Sequence, residues 1–142
     1  MLLSMLWLGC DASSGPEEIW LITLPRSPTP AMDRVAGNLE DYLVKITNSY
    51  GRIETRETNA DPRANGAHLT VHIGASALGK PGDSFGIAIE HGDQWTTLTL
   101  SADTDLGHQY AVYEVLRQLG VRFFHPEAEF VPKLSPKQMR MR

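Results

Sequence analysis

The sequence predicts an α+β fold: two helices packed on one face of a mostly antiparallel sheet, in the order β-α-β-β-β-β-α-β. Three observations carry it. A continuous apolar run, Glu18 to Leu24, is followed by a long stripe of apolar residues at three- and four-residue spacing. Four β-favouring stretches then come in succession with no helix among them. A second apolar stripe ends at Gly120 and gives way to a short aromatic strand. Few helices separated by a run of strands describe a layered α+β domain rather than an alternating α/β one.

The elements follow in order. Residues 1–16 are apolar up to Cys10 and then small and polar, and they are set apart from the fold as targeting segment and tether. Ile19 to Leu24 is apolar at nearly every position, as a strand buried on both faces requires. Pro25, Pro28 and Pro30 end it. Thr29 and Pro30 match a helix N-cap with proline at the first helical position. Met32, Val35, Ala36, Leu39, Tyr42, Leu43, Ile46 and Tyr50 form the apolar stripe of that helix, with Asp41 and Lys45 spaced to pair outside. Gly51 is expected to end the helix as a left-handed cap. Gly37, inside it, predicts a close approach of helix to sheet.

Residues 52–58 and 68–73 alternate as strands, and 84–91 with 94–101 read as a hairpin about Gly92-Asp93. Asp103 or Asp105 is expected to cap the second helix, residues 106–119, whose stripe holds Ala111, Val112, Val115, Leu116 and Leu119, extended by Leu106 and Tyr110. Val121 to Phe124 is a final strand. Residues 17–132 are thus one domain, and 133–142, with Lys133, Lys137, Arg140 and Arg142 and no acid, read as a solvated basic exit segment.

Composition narrows the function. The chain has 142 residues and is 42% hydrophobic and 21% charged, which suits one globular domain. An eight-stranded barrel takes about 250 residues, so none fits beside this domain. The net charge of −4, with no basic stripe, argues against nucleic-acid binding. The single cysteine precludes an intrachain disulfide. Leu6 to Gly9 before Cys10 resemble the end of a bacterial lipoprotein signal, with Cys10 the lipid-attachment residue. A lipid-anchored or periplasmic protein of the cell envelope is the resulting expectation.

No catalytic, metal or cofactor site emerges. His68 and His72 on one strand would lie about 13 Å apart, too far to share a zinc ion. His91, His108 and His125 lack partners at ligand spacing. Ser76 and Ser84 lack a nucleophile-elbow setting, and the Gly-rich stretches match neither phosphate-binding nor dinucleotide patterns. Glu54 and Glu57 face opposite sides of a strand, and Glu114, three before Arg117, falls on a polar helix face. Trp95, on the hairpin, and Trp20 are candidates to stack on sugar faces.

Ser84 to Pro126 resembles the accessory N-terminal domain that precedes the catalytic barrel in bacterial glycoside hydrolases, among them alpha-glucuronidases, beta-hexosaminidases and DUF4838-containing envelope proteins. The likeness lies in a hairpin, then Gly107 opening a helix with Tyr110-Ala-Val-Tyr113, then Leu116, Leu119-Gly120 and Val121-Arg-Phe-Phe-His-Pro126. The resemblance implies a non-catalytic accessory domain of a carbohydrate-active protein, a fragment or truncated form lacking the barrel. Its implied partners are that barrel or another protein of a glycan-degrading system, and glycans. The alternative is a stand-alone lipoprotein that binds glycans or a partner protein. No cofactor is implied.

Overall fold

A computed structural model describes residues 18–55, 67–74, 79, 80 and 82–139. Strand β1 (Trp20–Leu24) leads into helix α1 (Pro30–Thr47) and strand β2 (Gly51–Thr55). Strands β3 (Leu69–Ile73), β4 (Phe85–His91) and β5 (Thr96–Ala102) follow, then helix α2 (Asp105–Gln118). A short antiparallel pair, β6 (Arg122–His125) and β7 (Ala128–Phe130), and a 3-10 turn (Pro136–Met139) complete the order. The class, the two helices and their order agree with the sequence reading, with β7 and the 3-10 turn added.

The five-stranded sheet runs β2-β1-β3-β5-β4 and is mixed. The three ladders β1–β2, β1–β3 and β3–β5 are parallel, and β4–β5 is antiparallel. Mostly antiparallel pairing, inferred from strands following one another in sequence, thus gives way at the sheet's centre. The cause lies in β1 itself: all five residues are buried and four are apolar, and such a strand gains most from a central place in a covered parallel sheet. The α1 crossover carries the chain back to lay β2 alongside it in the same direction.

Both helices lie on one face. Trp20, Ile22 and Leu24 of β1, Leu69, Val71 and Ile73 of β3, and Leu98 and Leu100 of β5 form one core cluster with Val35, Ala36, Leu39, Leu43 and Ile46 of α1 and Ala111, Val112, Val115 and Leu116 of α2. The alternate positions of the strands carry small polar residues, Thr23, Thr70, Thr97 and Ser101, all buried. There the Thr23 hydroxyl and His72 Nδ1, neighbours in the β1–β3 register, are hydrogen-bonded.

The helix ends correct several expectations. Thr29 caps α1, its hydroxyl accepting from the Met32 N–H at 3.2 Å, with Pro30 at the first position. The left-handed residue after α1 is Asn48 (φ 48°), not Gly51, because asparagine is the next residue to glycine in tolerating that conformation. Tyr50 consequently leaves the stripe and is exposed. Thr104, rather than Asp103 or Asp105, caps α2 by accepting from the Gly107 N–H at 3.0 Å. Asp105 instead accepts from the Thr29 hydroxyl at 3.2 Å, joining the two helix starts. Leu106 and Tyr110 are exposed, and His108 takes the buried place in that turn. Gly120 (φ 102°) stops α2, with the Val121 N–H returning to the Leu116 carbonyl at 3.0 Å. Within the terminal segment, the Leu134 N–H bonds the Ile46 carbonyl at 2.9 Å and Met139 is buried in the core, so residues 133–139 dock rather than trail into solvent.

Gly37 is also not where helix meets sheet: a Cβ there would meet nothing within 4 Å. Gly37→Ala should therefore stabilise the fold by about 0.5–1 kcal/mol through helix propensity and a less free unfolded chain, measured by urea denaturation. Gly107 differs, since a Cβ would lie 2.9 Å from Ala102 Cβ and 3.0 Å from the Ser84 carbonyl oxygen.

Candidate functional site

Among the described residues a groove lies between the two helices on their outer side. Val35, Asn38 and Tyr42 recur at helical spacing on α1, and Gln109, Val112, Tyr113 and Leu116 do so on α2. The β6–β7 pair closes one end with Phe123, Phe124, Pro126 and Glu129. The cleft holds about 710 Å³, within the usual range of small-molecule sites, about 300–1,000 Å³.

Its wall is a chain of side-chain contacts. Phe123 stands edge-on between Tyr42 and Tyr113, with both centroid separations 5.8 Å and interplanar angles of 84° and 79°. The Tyr42 hydroxyl donates to Glu129, whose other oxygen takes Lys45 Nζ at 3.4 Å. Lys45 also lies 5.0 Å from the Tyr42 ring centroid. The pairing of Lys45 with Asp41 expected along the helix is thus replaced by one across to β7. Gln109 Nε2 donates to the Tyr113 hydroxyl at 3.3 Å. On α2, Arg117 makes a two-pronged contact with Glu114 at 2.8 and 2.6 Å, and Gln118 adds a third bond at 3.0 Å.

These contacts shift the titration of the groups that make them. Burial, and then the hydrogen bond to the Glu129 carboxylate, raise Tyr42 to about 12. The Tyr42 hydroxyl holds Glu129 below its ordinary value, and the Arg117 hydrogen bond takes Glu114 down to about 2. Each acid is favoured ionised in the folded chain, so its contribution is present above the ordinary carboxylate pKa and lost as pH falls through the lowered one. Tm should fall between pH 4.5 and pH 2, and Glu114→Gln should flatten part of that fall in thermal melts. The amplitude should be small because both groups are solvent-screened. Tyr42 works in the opposite sense, its contribution lost as pH rises from 10 towards 12.

The residues singled out from sequence lie elsewhere. Trp20 is 1% exposed and packed in the core, so no ring face is open to a sugar there. Trp95 is half-buried beside Gly92 at the β4–β5 turn and is not part of the cleft lining. Cys10 lies outside the described residues. His68 Nδ1 is 3.0 Å from the Gln94 carbonyl and His72 is bonded to Thr23, so the two serve different partners. Among the described residues no three His, Cys, Asp or Glu side chains are grouped to hold a metal. Sequence reasoning missed Asn38, Gln109, Phe124 and Glu129. Neither Phe123 nor Phe124 is core: both are exposed and both line the cleft, across an irregularity in the β6–β7 register.

No family model matches the chain, and no curated protein matches it. Among solved structures it is similar to a GH138 enzyme targeting pectin rhamnogalacturonan II, with a TM-score of 0.48 and 12% identity. That match covers 78% of this chain and 11% of the enzyme's. Similarity at this level assigns no role to any residue of this chain.

Proposed function

We propose that the chain is a non-catalytic accessory domain of a carbohydrate-active protein of the bacterial envelope, and that it works by binding. The observation supporting this is the set of groups gathered at the cleft. Aromatic rings and side-chain amides line it, and its one carboxylate, Glu129, is tied to Tyr42 and Lys45 and held ionised. A general acid for glycosidic cleavage needs the reverse, a carboxyl kept protonated near neutral pH. The carbohydrate-active class itself comes from the resemblance of Ser84 to Pro126, and the envelope location from the stretch ending at Cys10.

The test is the intact mass of the native polypeptide in membrane and soluble fractions of its host, with glycosidase assays of the isolated chain. A native product tens of kilodaltons larger, with the isolated chain inactive, is expected. Hydrolysis of aryl-glycosides by the isolated chain, lost on substituting a single carboxylate, would overturn the reading. A native product no larger than this chain would favour the alternative, a stand-alone lipoprotein binding glycans or a partner. Lipid attachment is expected to appear as a diacylglycerol mass increment that Cys10→Ala removes.

A further inference from the structure

Phe124 is 74% exposed, yet it lines a concave cleft rather than a convex surface. Its neighbour Phe123 is fixed between Tyr42 and Tyr113, so the strand presenting Phe124 is anchored at the preceding residue. We propose that this cleft binds a short stretch of neutral glycan, a sugar ring face lying on Phe124 and hydroxyls meeting the Asn38 and Gln109 amides. The ligand class rests on the accessory-domain reading; the site and the neutrality of its ligand go beyond it.

The chemistry of a pyranose is two-sided. Its C–H face is apolar and suits an aromatic platform, while its rim of hydroxyls needs donors and acceptors close by. Asn38 is exposed on the lining and its amide bonds no described residue, so both a donor and an acceptor are open there. Gln109 uses its Nε2 on the Tyr113 hydroxyl, which leaves its carbonyl to accept and the Tyr113 O–H to donate. Among the described residues lining the cleft the one charged group is Glu129, and Lys45 pairs with it at 3.4 Å, so the pair presents little net charge to a ligand. A uronate or sulfated sugar would compete with Glu129 for Lys45 and bring a second anion beside that carboxylate, which favours a neutral chain.

The test is an NMR titration of the full chain with cellohexaose, xylohexaose and mannohexaose, and with hexagalacturonate as the charged comparator. Binding of at least one neutral probe is expected, with shifts at the Asn38 and Gln109 side-chain amides and the backbone of residues 123–126. Phe124→Ala and Asn38→Ala should each weaken it by about tenfold. Both positions are exposed, so both variants should keep the parent spectrum elsewhere, while Trp95→Ala should bind as the parent does. Silence of the cleft towards every neutral probe at millimolar concentration, shifts that survive Phe124→Ala, or preference for hexagalacturonate would each overturn the proposal. So would a native polypeptide in which a second protein domain buries Phe124. None of these outcomes bears on whether the isolated chain is catalytic, so the accessory-domain reading stands or falls separately.

Discussion

Trp20→Ala should lower stability by about 3–5 kcal/mol, a large part of the roughly 5–15 kcal/mol that holds a domain of this kind folded. The indole opens β1, is 1% exposed, and belongs to the cluster joining both helices to the sheet. Its removal leaves a cavity that no nearby side chain can collapse to fill, because β2 and β3 pin β1 on either side through the Trp20–Gly51 and Trp20–Leu69 register. Urea denaturation should show the midpoint falling with little change in slope, and Tm should drop by ten degrees or more, on the order expected for several kcal/mol. A cost under about 1 kcal/mol would mean that the ring is not core, and would return Trp20 to the candidates for ligand stacking.

The second large effect is expected at the same contact from the opposite side. Gly51 lies so close to Trp20 that a Cβ placed there would be 2.1–2.4 Å from three atoms of the indole, closer than real contacts allow. Gly51 is not among the residues with positive φ, so the constraint is space rather than backbone conformation. Gly51→Val should cost about 1–3 kcal/mol or more, despite valine's better strand propensity, because either the indole or β2 must shift. Combined with Trp20→Ala, the added methyl groups would enter the vacated space. The double variant should then be more stable than the sum of the single losses predicts, by about 0.5–3 kcal/mol. Strict additivity in that cycle would show that the two positions do not pack on each other.

The same pair illustrates what the sequence made legible. Ile19 to Leu24 identified itself as a strand buried on both faces, and the stripes of α1 and α2 named Val35, Ala36, Leu39, Leu43, Ile46, Ala111, Val112, Val115 and Leu116 as core, where they lie. The stop at Gly120 was equally plain. The errors fall at the ends of elements, where neighbours compete: Asn48 displaced Gly51 and Thr104 displaced two aspartates, because a cap depends on where the helix breaks as well as on residue type. The cleft was nearly illegible. Asn38, Gln109 and Glu129 are separated by up to 91 positions, and nothing local to any of them marks it as part of a site.

By itself the sequence determined the helices, the strands other than β7, and most of the apolar stripe of each helix. Those are set by periodicities of 3.6 and 2 acting within about ten residues. Only the tertiary structure decided that β1 runs parallel between β2 and β3, that Gly51 rather than another residue meets the Trp20 ring, and that Phe123 wedges between Tyr42 and Tyr113 to leave Phe124 at the cleft. Apolar faces have no address. Which face meets which is settled by the burial gained over the whole chain at once, and a local pattern holds no record of that sum.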